Sequence, residues 1–219
     1  MILALDTTSE FGSLALLKSG QLLGEHTIHS PDGFGHVLYG ELALFLAAQN
    51  VMLEQIECFA AASGPGSFTG VRVGLAAIKG LAEATGRPAV AVSNLRAMAY
   101  YGSARFRAAV LDARRGEVYG AVYSSSLDLV GEETVSTLAD WIASLPAANL
   151  EFITTDFGPF QHLTNLGIPV VTSPSALAAA VGQIASRVFE LGQAVDPAAI
   201  DANYVRRSDA ELLWKSPGP

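Results

Sequence analysis

Ser63-Gly-Pro-Gly-Ser-Phe-Thr-Gly-Val-Arg-Val-Gly-Leu-Ala-Ala-Ile-Lys-Gly-Leu-Ala82 is the stretch that decides the architecture. An apolar run, Ile56 to Ala62, leads into it, and a small-residue helix is predicted over 70–85 before Gly86-Arg-Pro88 stops it. The segment therefore reads as strand, glycine turn, helix. Glycine supplies backbone conformations and close approaches that a Cβ forbids. Two uses compete for that freedom: a phosphate cradle at a helix N-terminus, or a groove that lets another helix pack unusually close.

Spacing weighs against the cradle. Gly64 is followed five positions on by Thr69, and Gly70 by Leu75, so the Walker pattern fails. The dinucleotide pattern G-x-G-x-x-G fails at Thr69, and Lys79 lies about two and a half turns too far along to finish a phosphate site. Ser67 does not match G-x-S-x-G, because Phe68-Thr69 intervene before the glycine, and it reads as a turn residue or helix cap. The helix itself favours packing. Gly70, Gly74, Ile78 and Ala82 lie on one i,i+4 line with Ala77, Gly80 and Ala84 beside it. Interior glycines cost about 1 kcal/mol each relative to alanine, and close approach of another backbone recovers that cost. The neighbour is another helix of this chain, a second copy or a different protein; ordinary packing on the chain's own sheet stays open as the alternative.

Around this centre, strands are predicted at 2–5, 12–17, 21–27 and 88–92, with helices at 36–50 and 95–101. The second half starts again with strands at 107–111 and 117–123 about the Arg115-Gly116 turn. Helix 137–145, strand 151–155, helix 159–165, strand 168–172 and helix 175–192 follow, with 203–207 as an edge strand and fraying after Trp214. A short repeat links the halves. Ala4-Leu5-Asp6 and Val110-Leu111-Asp112 each end a strand on an aspartate, with Ala15 and Ala121 nine residues after it. This predicts two α/β units on one plan, 1–102 and 103–219, the C-terminal segment returning to the first.

The 219 residues carry a net charge of −8 and no Lys/Arg run longer than a pair, which argues against unaided nucleic-acid binding. Half the residues are hydrophobic and 16% charged, as in an ordered globular protein. The N-terminus lacks a signal-peptide pattern and no apolar run reaches the roughly 18 residues of a membrane span, so a cytoplasmic location is expected. Cys58, the single cysteine, sits in an apolar run and reads as inert. His26 and His29 are three apart on a strand, hence on opposite faces, and with His36 and His162 they form no metal-ligand spacing. Asp6, Thr7, Thr8, Asp112, Arg114 and Glu117 stand at strand ends. Such groups hold phosphate or Mg²⁺ in some folds and cap turns in most. Asp6, Thr7, Ser67 and Asp112 are the candidates for a cofactor contact.

Together, Ile2–Thr7, the His36-initiated helix, Ser63–Gly74 through Lys79-Gly80, Leu111–Tyr119 and Tyr204-Val-Arg206 resemble the TsaB (YeaZ) family, nearly end to end. The Gly-Pro-Gly-Ser-Phe-Thr-Gly block is the specific element. The resemblance implies an actin/Hsp70-like (ASKHA) fold with two pseudo-symmetric α/β lobes, each opening with a β-hairpin. It implies a catalytically silent scaffold in the threonylcarbamoylation of tRNA adenosine. The expected partners are a TsaD-like catalytic subunit, a TsaE-like ATPase and a second copy of the chain, with tRNA met only through the complex. No intrinsic cofactor is expected, and ATP or ADP would sit at the partner interface. That interface would use His36, Tyr39, Leu42, Phe68, Thr69, Gly70, Arg72, Val73, Gly74, Ala77, Ile78 and Leu81. TsaD-like proteins carry a His-x-x-x-His metal motif after a matching helix; aligned from the glycine block, those positions are Asn94 and Met98 here, a poor and a soft ligand. His36 is followed by Val37 where the family commonly has Ser. Two enzyme readings compete with the scaffold: a remnant of a glycoprotein-endopeptidase-like enzyme, and a small-molecule kinase of the same fold.

Overall fold

The computed structural model describes residues 1–146 and 149–206; the expected fraying after Trp214 lies outside them, as does Arg207. Strands β1 (Ile2–Asp6), β2 (Phe11–Lys18) and β3 (Gln21–His29) form an antiparallel meander. β1 also pairs in parallel with β4 (Cys58–Ala62), and β4 with β5 (Ala89–Val92). Strands β6 (Phe106–Arg114), β7 (Glu117–Ser124), β8 (Leu129–Thr137), β9 (Leu150–Thr154) and β10 (Val170–Thr172) repeat the scheme. The orders β3-β2-β1-β4-β5 and β8-β7-β6-β9-β10 are one topology used twice. Asp6 and Asp112 fall on equivalent strands, as the repeat predicts. β8 went unseen in the sequence because Gly131-Glu132-Glu133 breaks its pattern and its residues are exposed or half-buried. The edge strand expected at 203–207 is absent from its described part: residues 201–206 run as an irregular strap, held by single bonds rather than a ladder.

Helices fill the spaces between and outside the sheets. Alternation along β1 and β2 sends Leu3, Leu5, Leu14 and Leu16 to one face and Ile2, Ala4, Ala15 and Leu17 to the other. The first face carries α1 (Leu38–Ala48) and α2 (Phe68–Thr85) through Leu42, Phe45, Leu75 and Ile78. The second face carries α5 (Ala178–Glu190), which shares a core with α3 (Asn94–Ala99) and with Ala109, Ala121, Tyr123 and Ile153 of the second sheet. α4 (Leu138–Ala143) covers that sheet's outer side, where Trp141 packs on Phe152. The result is five layers, helix–sheet–helix–sheet–helix, the actin/Hsp70-like arrangement expected from the sequence.

The N-terminus of α5 is fastened by three neighbouring strands. Asp6 accepts from the Leu177 amide (3.0 Å), Ser13 from the Ala178 amide (3.0 Å) and Glu25 from the Ala179 amide. These are orphan donors of a helix end, satisfied by side chains 150 or more positions away in sequence. Burial pushes the carboxyls of Asp6 and Glu25 above their ordinary range, against the bonds that favour ionisation.

Ser13→Ala strands the Ala178 amide in the core, and a loss of about 1–3 kcal/mol in urea unfolding is expected. A raised folded-state pKa makes ionisation costly to the fold. The contribution of Glu25 is complete below the ordinary carboxylate range and is lost as pH rises through its raised value. The Tm difference between wild type and Glu25→Gln should therefore change sign-consistently, in favour of the variant, between about pH 4 and about pH 7.

Candidate docking face and interlobe cleft

Three glycines of the 63–82 block, Gly66, Gly70 and Gly74, turn toward the loop after β1. An added Cβ at Gly70 would lie 2.0 Å from the Thr7 carbonyl oxygen, and one at Gly74 would lie 2.5 Å from Thr7 Oγ1. At Gly66 it would meet the Thr8 carbonyl oxygen at 2.6 Å. Thr7 Oγ1 donates to the Gly70 carbonyl (2.7 Å), and the Ser67 amide donates to the Thr8 carbonyl (2.7 Å). The occupant of the groove is thus the loop after β1, not another helix and not a phosphate. Gly64 has φ +99°, a conformation L side chains rarely adopt.

This corrects the interface expectation at five positions. Gly70, Gly74, Ala77, Ile78 and Leu42 are buried against the chain's own first sheet and offer a partner no surface. His36, Tyr39, Phe68, Thr69 and Arg72 are exposed, and Val73 and Leu81 half-buried, so these seven remain on the outer side. The sequence reading missed Leu44. It is 68% exposed and lies on an α1 face whose other outward residues, Tyr39, Gly40, Ala43, Ala47 and Ala48, include no charge. On α2, Arg72 stacks over the Phe68 ring (3.4 Å to its centroid) and its Nε donates to the Tyr204 hydroxyl (3.1 Å).

Behind this face the polar groups form a closed network. Asp6 Oδ1 accepts from the Thr8 amide (2.9 Å) and hydroxyl (2.6 Å). The Thr8 hydroxyl accepts in turn from Asn94 Nδ2, whose Oδ1 receives the Gly64 amide (2.9 Å). Both ends of the Asn94 amide are therefore committed, and Met98 is packed in the core shared by the lobes. A metal held at these two positions does not fit the residues present. Among the described residues no three His, Cys, Asp or Glu side chains gather to hold one. Burial pushes the Cys58 thiol up to about 12.

A cavity of about 880 Å³ opens between the lobes, lined by Thr8–Phe11, Pro65–Ser67, Asn94, Asp112, Arg114, Asp156 and Ser175 among others. Of the four cofactor candidates it gathers Ser67 and Asp112, while Asp6 and Thr7 are buried in the fold. Ser67 caps α2, its Oγ accepting from the Gly70 amide (3.2 Å). Asp112 is exposed and closes its own turn by accepting from the Arg114 amide (2.8 Å). The two equivalent aspartates have diverged: one is a buried tether, the other a surface turn residue. Among the described residues no helix is long and apolar enough to cross a membrane.

Gly70→Ala should cost about 1–3 kcal/mol, since the clash is with backbone that cannot swing away. Gly80 on the same helix is exposed with nothing within 4 Å of an added Cβ, so Gly80→Ala should stabilise by about 1 kcal/mol. Chemical denaturation of the two variants separates a groove filled from within from one left for a partner.

A family model described as "TsaD: tRNA N6-adenosine threonylcarbamoyltransferase" matches residues 38–191. The Escherichia coli K12 protein named "tRNA threonylcarbamoyladenosine biosynthesis protein TsaB" is 37% identical over 144 residues, 63% of this chain and 62% of that protein. The chain therefore spans less than two thirds of that relative. The Bacillus subtilis 168 protein of the same name is 27% identical over 97% of both chains. A Pseudomonas aeruginosa crystal structure, titled as an uncharacterized protein with similarity to peptidase YEAZ, superposes with TM-score 0.78 at 30% identity, covering 94% of this chain and 99% of that one. The chain belongs to the TsaB (YeaZ) family, within the wider family that the threonylcarbamoyltransferase model describes.

Proposed function

We propose that this chain is a non-catalytic subunit in the biosynthesis of threonylcarbamoyladenosine on tRNA, supporting and activating a TsaD-like catalytic subunit. The observation that carries the reading is Asn94. Its amide is consumed by Gly64 and Thr8 at the position where a catalytic relative would place a metal-binding histidine. Asp6, the strand-end acid that would face a nucleotide, is spent on Thr8 and the start of α5. Outward the chain offers an uncharged α1 face, with Tyr39 60% and Leu44 68% exposed, and on α2 the exposed Phe68, Thr69 and Arg72 with the half-buried Val73. Exposed apolar side chains concentrated on one face suit a protein partner. The partner is the TsaD-like subunit, with a second copy of this chain competing for the same face. A TsaE-like ATPase, and ATP or ADP at the partner interface, complete the assembly, and tRNA enters with the catalytic subunit.

The isolated chain is expected to show no threonylcarbamoyl transfer and no ATP hydrolysis above background, while raising transfer by a TsaD-like subunit supplied with its other components. The double variant Tyr39→Glu/Leu44→Glu should fold normally, since both residues are solvent-facing, yet lose co-elution and at least about 90% of the stimulation, the factor of ten that 1.4 kcal/mol represents. Robust turnover by the chain alone, or full stimulation by the double variant, would overturn the reading.

A further inference from the structure

A second cavity, of about 570 Å³, lies where the strap 201–206 crosses the α2 N-terminus and the β6–β7 turn. Its lining includes Arg114, Arg115 and Arg206 with Phe68, Tyr119 and Tyr204, and no aspartate or glutamate. In a chain of net charge −8, Arg114 and Arg115 at this cavity, beside an Arg206 whose charge is met by Glu117, stand among aromatic rings and suit something anionic and planar.

The backbone gives an independent sign. Arg114 and Arg115 have φ of +64° and +58°, followed by Gly116 at +77°. Asparagine or glycine adopts that conformation with little strain, whereas arginine rarely does. Strained backbone of this kind clusters at ligand contacts. At Arg115 and Gly116 the positive φ is what a two-residue hairpin turn requires; what is unusual is that positions 114 and 115 are arginines, which puts two guanidinium groups at the hairpin tip.

The side chains around the cavity are arranged rather than free. Arg206 donates to the Ala113 carbonyl (2.9 Å) and to Glu117, and lies 5.6 Å over the Tyr119 ring. Arg114 approaches Asp112 only at 3.8 Å, with its side chain 88% exposed. Phe68 and Tyr204 are 54% and 49% exposed, their rings 6.3 Å apart. A small-molecule pocket engulfs most of its ligand. Rim arginines and half-exposed rings instead suit a strand that passes over them, phosphates on the guanidinium groups and bases on the rings.

We infer that this cavity is a contact site for unpaired RNA, so that the chain touches the nucleic acid itself rather than meeting it only through a partner. The inference rests on the proposed role in tRNA modification for its biological setting, but its test does not.

The test uses the full chain and a fluorescein-labelled unpaired RNA of about ten nucleotides, followed by anisotropy across a salt series. Arg114→Asn/Arg115→Asn relieves the backbone strain, so its Tm should equal or exceed that of wild type. Its RNA affinity should fall at least about tenfold, and the slope of log K against log salt should shrink by about 1.4, the value for two lost phosphate contacts on a single strand. Unchanged affinity and slope, or no binding by wild type at low salt, would overturn the assignment. Displacement of the RNA by an equal phosphate concentration of AMP would overturn it too, by making the site one for free nucleotide. The transfer-stimulation assay reads the subunit role separately: RNA binding without stimulation sinks that role alone, and stimulation without RNA binding sinks this site alone.

Discussion

Thr7 lies across the first turns of α2 with its carbonyl oxygen and hydroxyl in the space that side chains on Gly70 and Gly74 would claim, and Thr8 does the same at Gly66. Much of the first lobe follows from this contact. Because the loop after β1 is pressed onto α2, Asp6 is buried behind it. Buried there, its carboxylate takes up the Thr8 amide and hydroxyl and the first amide before α5. Thr8, fixed by Asp6, receives Asn94, and Asn94 secures the glycine turn at Gly64. A space that in principle admits a phosphate or a neighbouring helix is filled by the chain's own backbone, and the polar groups that would greet a ligand bond to one another.

Much of this architecture was legible in the sequence. The strand–turn–helix order of 56–85, the two-residue turns and the twofold repeat all follow from local spacing, and the same topology appears twice. The identity of the groove's occupant was not legible. Thr7 is 63 positions from Gly70, and a threonine after a strand reads as an ordinary turn cap. The glycine line reads as a close-packing surface against a helix or the chain's own sheet; what fills it is the loop after β1. Helical spacing over 36–50 picks out Val37, Leu38, Leu42, Phe45 and Leu46; the last four are buried on α1 and Val37, just before it, is half-buried. That same spacing turns Leu44 outward, where hydrophobicity alone does not distinguish core from docking surface. The strap escaped because it is held by scattered distant bonds, such as the Asn203 amide to the Ser63 carbonyl (2.8 Å), and such bonds leave no periodicity.

The lobes share one plan but have divided its uses. In the first, the strand-end aspartate is internal and α1 shows an uncharged outer side. In the second, the equivalent aspartate is exposed beside a hairpin tip carrying two strained arginines. Duplicated topology fixes where strand ends lie, not what they do. The arginine-aromatic cavity is joined to α2 at Phe68 and Tyr204, where Arg72 bonds the strap.

The placement of α5 has a bearing on how the protein comes into being. This helix is encoded after the whole second sheet, yet it covers the inner face of the first, and Gly182 lets it sit directly on Leu17 and Ala4. As the chain leaves the ribosome, Ile2, Ala4, Ala15 and Leu17 wait uncovered until residues 178–190 emerge. The first lobe therefore cannot mature ahead of the second, in contrast to the usual N-terminal-first order of multidomain proteins. A chain truncated before α5 presents the apolar face of Ile2, Ala4, Ala15 and Leu17 to its surroundings.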